Sequence, residues 1–223
     1  MPKIYTKTGD NGITSLSDGN KVSKTCIIFD VLGEIDELSC RIGDFCSILS
    51  NNNFNGVNDI NNEIIKQYNY LRLIQCKLQN INSSIAVLDN QDTNNNNIVI
   101  FDDELSYLEL NIDNLETFNS KLVKFILPGV TIYDSKCHLC RTQTRKVERK
   151  LLKLNNCQDT IHNYNKNNNQ TNLILNINNV KVQSNILKYI NRLSDYFFVL
   201  SRYLTKILNK SDIFTEDYIK LFK

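Results

Sequence analysis

ILKYINRLSDYFFVLSRYLTKIL, residues 186–208, is the stretch on which the fold turns. Ile186, Ile190, Leu193, Phe197, Leu200, Leu204 and Leu208 recur at intervals of three and four, which lines them along one stripe of an α-helix. Four more segments repeat the pattern. Ile35, Leu38, Ile42, Phe45 and Leu49 form one stripe, and Ile64, Leu71, Ile74, Leu78, Ile81, Ile85 and Leu88 a second. Leu105, Leu108, Ile112, Leu115 and Phe118 form a third; Val147, Leu151 and Leu154 a fourth. Glycine and proline number only 7 and 2, and no convincing alternating strand interrupts the series. The expectation is an all-α chain: a five-helix antiparallel bundle in one domain spanning residues 1–223.

Asparagine-rich tracts separate the helices: NNNFNGVND (51–59), DNQDTNNNN (89–97) and NYNKNNNQTN (163–172). They are too polar to bury a face and read as mobile loops. The last belongs to a low-complexity insertion over 155–180, longer than an ordinary connection of up to about 12 residues. Within it LILNINNV (173–180) has the composition of a short strand.

Bulk charge excludes some functions. Lys and Arg total 26 against 24 Asp and Glu, a net charge of +2, so no general attraction to nucleic acid or membrane is expected and any basic site must be local. No run approaches the roughly 18 apolar residues of a membrane span. The start, MPKIYTKTGD, has no apolar signal region and too little length for a transit peptide, and the seven cysteines are an odd number spread through helical segments. A soluble intracellular protein with reduced thiols is the expectation, in the cytoplasm or the mitochondrial matrix.

Polar chemistry concentrates in two places. TKTGDNGIT (6–14) is neither a P-loop nor a dinucleotide fingerprint, since Gly9 and Gly12 are three apart and no Lys-Ser/Thr pair follows. Its glycines, the hydroxyls of Thr6, Thr8, Thr14 and Ser15, and the charge of Lys7 could cradle a polyphosphate, or the stretch could be a plain structured turn. In CHLCRTQTRKVERK (137–150), Arg141, Arg145, Glu148 and Arg149 fall on one helical face, roughly opposite Val147 and Leu151. Three guanidinium forks and a carboxylate make either a solvated face or a receptor for phosphate oxygens. GEIDELS (33–39) is expected to start the first helix, where its dipole favours Glu34, Asp36 and Glu37. NRLSDYFFVLSRY (191–203) places Asn191, Arg192 and Asp195 along one turn.

Two metal readings fail. Cys137 and Cys140 have C-x-x-C spacing but no second pair, so zinc is not expected. A di-iron bundle needs Glu-x-x-His on two helices; the chain has two histidines, and Ser135 stands three residues before His138.

Taken in order, TKTGDNGIT with KVSK (21–24), GEIDELS, FILPG (125–129), HLCRTQTRKVER (138–149) and NRLSDYFFVLSRY closely resemble the PduO-type ATP:cob(I)alamin adenosyltransferases, from residue 3 to about 206. The resemblance implies a homotrimer of five-helix bundles with an active site at each subunit interface. Its substrates would be ATP, carrying Mg, and cob(I)alamin, joined by transfer of the 5′-deoxyadenosyl group to cobalt with release of triphosphate. By the same resemblance, the N-terminal segment (1–25) is a nucleotide loop. Thr6, Lys7, Thr8, Gly9, Thr14, Ser15 and Lys24 would bind ATP, together with Arg145, Lys146, Val147, Glu148, Arg149 and Asn191. Arg141 and Asp36 would pair across the interface and, with Arg145, support catalysis; Phe125 would pack beneath the corrin, and Asp195 would also lie on the corrinoid side. No protein side chain would ligate the metal. A cobalt reductase and an adenosylcobalamin-dependent mutase are the partners implied. Val130 stands where the family usually has glycine, Lys21 where arginine is common, and the loop before the last helix is longer. Two other readings remain: an ATP sensor or corrinoid chaperone with the same nucleotide site, and a ligand-free helical interaction module.

Overall fold

The computed structural model describes residues 3–51, 58–87, 99–156, 160–162, 174–176 and 182–219. Five long helices carry the core: α1 (Ile27–Asn51), α2 (Asn58–Ile85), α3 (Asp102–Glu116), α4 (Ile132–Asn155) and α5 (Ser184–Ile207). A sixth, α6 (Thr215–Ile219), is a single short turn of helix near the C-terminus. Neighbours pack in the order α2, α1, α4, α5, α3. Ion pairs run Asp30 to Lys150 at 2.6 Å and Asp44 to Lys136 at 2.5 Å, so α1 advances as α4 retreats and the two are antiparallel.

The heptad-like stripes become the core. Ile35, Leu38, Ile42 and Phe45 of α1, Leu71, Ile74 and Leu78 of α2, Val147 and Leu151 of α4, and Leu193, Phe197 and Leu200 of α5 are all fully buried. Truncating one, such as Phe197 to Ala, would cost about 3–5 kcal/mol through lost transfer energy and the cavity left behind. Polar order also enters the core: Tyr196 donates its hydroxyl to the Gln67 side-chain carbonyl Oε1 at 2.9 Å, and the Tyr70 ring stands edge-on to Tyr196 at 5.3 Å, locking α2 to α5. Just past the end of α5, Asn209 takes a left-handed φ of 55° that lets the Lys210 N–H reach back to the Thr205 carbonyl at 3.0 Å and closes the helix.

Short antiparallel ribbons decorate the bundle. β1 (Ile13–Ser15) pairs with β2 (Lys21–Ser23), and β3 (Ile126–Leu127) with β6 (Ile213–Phe214). Between α4 and α5, β4 (Thr160–His162) pairs with β5 (Ile174–Asn176), which falls inside the segment read as strand-forming. Most of the three asparagine tracts, and Leu88 of the second stripe, lie outside the described residues.

Two sequence readings are corrected. α1 begins at Ile27, so Glu34, Asp36 and Glu37 lie two turns or more inside it, where the helix dipole has little effect. Two of the charges are met by partners instead, Glu34 by Lys146 at 2.8 Å and Glu37 by Arg41, while Asp36 is exposed. Phe118 does not extend the α3 stripe. That helix ends at Glu116, and Phe118 is exposed, edge-on to Tyr203 at 5.5 Å. Among the described residues no helix is long and apolar enough to cross a membrane.

Candidate active site

The N-terminal loop is shaped by backbone before any ligand is considered. Gly12 takes φ +77° and Lys7 φ 58°, the latter in a region that a residue with a Cβ enters at a cost and that clusters at functional sites. The Gly12 N–H bonds the Gly9 carbonyl at 3.2 Å, the Lys24 N–H bonds the Gly12 carbonyl at 2.9 Å, and the Thr6 and Thr8 hydroxyls meet at 2.8 Å. Lys24 lies across Gly9: a Cβ added there would come within 2.9 Å of its ammonium nitrogen. Thr14 and Ser15 sit in β1, opposite Val22 and Lys21. Buried Leu16 and Val22 pin this hairpin to the core, and the Ser17 N–H bonds the Ala86 carbonyl at 2.9 Å, just beyond α2. Hydroxyls, two lysines and a tight backbone are thus held at the end of the bundle where α1 starts and α4 finishes.

The α4 face runs toward that same end, where Lys150 meets Asp30. Arg145 and Arg149 are exposed, Arg141 and Glu148 half-buried. Asn191 of α5 donates its amide to Glu148 Oε1 at 2.8 Å, while its own carbonyl accepts from Arg192 Nη1 at 2.7 Å. Arg192 in turn pairs with Glu109 of α3 at 3.1 Å. Asp195 belongs to the same group. Burial pushes its carboxyl up, opposed by Arg192 and Arg145 and reinforced by Glu148. Burial, and then the neighbouring Arg145, pulls the Arg141 guanidinium below its usual value.

Other expected site residues lie elsewhere. Val147 is fully buried in the core, so its side chain cannot face a ligand shared with Arg145. Lys146 turns toward α1, where Glu34 holds it and also accepts from Gln143 Nε2 at 2.8 Å. Asp36 is exposed on α1 and forms no ion pair with Arg141 among the described residues, where Arg141 donates to His138 instead. Phe125 is 88% exposed beside β3, its carbonyl accepting from the Thr215 N–H at 3.0 Å. The loop it enters is tied to the first turn of α4 at Asp134; Arg145 is eleven residues on, about 16 Å along the axis. The chain therefore gathers the α4 arginines with Asn191 and Asp195, and keeps Phe125 toward the other end.

Sequence reasoning missed Asp134 and His138. Asp-x-x-x-His-x-x-Arg places Asp134, His138 and Arg141 on one face, and that spacing is the signal that could have found them. Cys137 and Cys140 are buried, and burial first of all drives both thiols up, Cys140 to about 12, as for thiols packed in a core.

A family model described as cobalamin adenosyltransferase matches residues 4–204. A corrinoid adenosyltransferase of Bacillus subtilis is 30% identical over 200 residues, covering 90% of this chain and 85% of its own length. One from Bos taurus is 29% identical over 222 residues, covering 96% and 78%. Among solved structures, a variant PduO-type ATP:corrinoid adenosyltransferase from Lactobacillus reuteri, complexed with cobalamin and ATP, superimposes with a TM-score of 0.70 at 28% identity, covering 95% of this chain and 96% of that one.

Proposed function

This chain belongs to the cobalamin adenosyltransferase family, and on that premise we propose that it transfers the 5′-deoxyadenosyl group of ATP to the cobalt of cob(I)alamin and releases triphosphate. The observation that carries the reading is the arginine face of α4, with Glu148 anchored by Asn191 and the Lys24–Gly9 loop at the same end of the bundle.

Cobalt(I) is itself a strong nucleophile, so no protein base is needed. Its electron pair forms the bond to C5′, and the C5′–O pair departs with triphosphate. The protein's tasks are to hold C5′ over cobalt in line with the leaving oxygen and to stabilise the charge gathering on the phosphates. Lys7, Lys24, Arg145 and Arg149 would supply fixed positive charge, and Thr6, Thr8, Thr14 and Ser15 hydroxyl donors. Loss of one such contact typically slows turnover by about 10²-fold. Magnesium would arrive on ATP, a hard cation held by phosphate oxygens and water. Phe125, presented to solvent by its backbone tie to Thr215, would form the apolar wall beneath the corrin, excluding a lower axial ligand.

The complete site would need a second copy of the chain. Asp36 is exposed on α1, and among the described residues Arg141 has no carboxylate partner and donates to His138 Nδ1 instead, so a homotrimer would close that ion pair between subunits. A cobalt reductase would supply the substrate's oxidation state, and a mutase would receive the product.

Mixing the protein anaerobically with MgATP and chemically reduced cob(I)alamin tests the reading. A light-sensitive adenosylated corrin with stoichiometric triphosphate, abolished by Arg145→Ala, is expected. ATP binding without product would transfer the assignment to a nucleotide sensor or corrinoid chaperone.

A further inference from the structure

One buried polar chain runs through the first turns of α4 with no role yet given to it. Asp134 and His138 are both buried. Oδ2 of Asp134 accepts the N–H groups of Gly129 at 2.6 Å and Val130 at 2.9 Å, and Oδ1 meets His138 Nε2 at 3.1 Å. On the far side of the ring, Nδ1 lies 3.1 Å from Nε of Arg141.

Donor and acceptor accounting settles where the imidazole proton sits. The Arg141 Nε–H can only donate, so Nδ1 must be bare. The Asp134 carboxylate can only accept, so Nε2 must carry hydrogen. Ser201 agrees: its hydroxyl proton goes to the Phe198 carbonyl at 2.7 Å, leaving only its lone pairs for Nε2 at 3.4 Å. Although burial pushes the Asp134 carboxyl up, hydrogen bonds from His138, Gly129 and Val130 bring it below its ordinary value, so it is an anion at neutral pH.

We propose that Asp134 is a positioning residue that acts through the Nε2–H tautomer of His138 to orient the Arg141 guanidinium, and that it couples this arginine to the 129–130 loop. The segment FILPGV enters α4 with Gly129 at φ +112°, and both of its last N–H groups end on the carboxylate that sets the histidine. A shift of that loop would therefore be felt at Arg141 without any direct contact. The functional consequence rests on the adenosyltransferase reading; the tautomer and the coupling do not.

The test uses full-length protein labelled with ¹⁵N-histidine. Only two histidines are present, so His162→Gln assigns His138 by elimination. Long-range ¹H–¹⁵N correlation should show Nδ1 unprotonated, and Arg141→Lys, which has no Nε–H, should move the Nδ1 resonance. Wild-type protein with Nδ1 protonated, or a resonance unmoved by Arg141→Lys, overturns the proposal without reference to activity. Asp134→Asn would keep the loop's acceptor but turn an NH₂ toward Nε2, forcing the proton to Nδ1 against the arginine donor. That variant should switch the tautomer and lower kcat by roughly tenfold, the cost of one charge-assisted hydrogen bond, with the ATP Kd within about twofold. A loss of ATP affinity with an unchanged tautomer would show a merely structural residue. Wild-type protein with the expected tautomer but no turnover would instead sink the functional reading and leave the relay standing.

Discussion

The ammonium of Lys24 lies so close over Gly9 that a Cβ there would come within 2.9 Å of its nitrogen and 3.0 Å of its Cε. Both atoms belong to the far end of a flexible side chain, so Gly9→Ala would displace the lysine rather than unfold the loop. The expected result is ATP binding weakened about tenfold, equivalent to one charge-assisted contact, with thermal stability nearly unchanged. Calorimetric titration of MgATP checks it; unchanged affinity would separate Lys24 from the phosphates.

Phe125 presents an 88% exposed ring whose own carbonyl is fixed by Thr215. Phe125→Ala should therefore leave stability and ATP affinity intact while slowing adenosyl transfer by about 10²-fold or more. Single-turnover measurement beside ATP titration distinguishes this from a nucleotide-side role, which would appear as lost ATP affinity.

Arg202 is a structural arginine. It is buried, donates Nε to Asp212 at 3.0 Å and Nη2 to the Ser120 carbonyl at 2.6 Å, and so ties α5 to the segments on either side of it. Arg202→Met should cost about 3 kcal/mol in urea unfolding, because the acceptors left behind lose their charged donor. Glu116→Gln, at 3.8 Å from the same guanidinium and half-exposed, should cost under about 1 kcal/mol.

Two carboxylates should shape the acid limb of stability. Burial acts to raise Glu34, but Lys146 and Gln143 outweigh it, and Asp134 is likewise brought down against burial by its three N–H donors. A carboxyl lowered by folding binds fewer protons in the native state than in the unfolded chain. Its stabilisation is therefore complete above the ordinary carboxylate range and is lost as pH falls through that range toward the folded value. Glu34→Gln should flatten this limb in denaturant melts between about pH 5 and pH 3, leaving the slope near neutrality unchanged.

Thiol reactivity should follow burial. Cys137 and Cys140 are inaccessible, with thiols pushed up chiefly by desolvation, and should resist iodoacetamide in native protein at pH 8 yet react once urea unfolds it. Mass spectrometry of the labelled peptides gives the answer; rapid native labelling of either would mean that the α4 core opens locally.

The helices were legible because helical periodicity is a local property. Ile186, Ile190, Leu193 and Phe197 declare one buried face whatever they pack against, and the i, i+4, i+8 spacing of Arg141, Arg145 and Arg149 declares one polar face in the same way. The family's blocks lie along the chain in order, so membership too could be read from sequence. The start of α1 was misplaced because GEIDELS has the acidic look of a first turn, whereas the preceding IIFDVL carries the helix back to Ile27.

What tertiary structure alone decided is which polar groups meet. Glu148 finds Asn191 forty-three residues away, Glu34 finds Gln143 and Lys146 across the α1–α4 contact, and Lys24 settles on Gly9 because a hairpin folds one over the other. Asp134, His138 and Arg141 could have been seen as spacing, but the closing of their chain onto the 129–130 backbone and Ser201 could not. Apolar burial is nondirectional and survives as a pattern in the sequence, whereas a hydrogen bond exists only at the distance and angle that the packed helices impose.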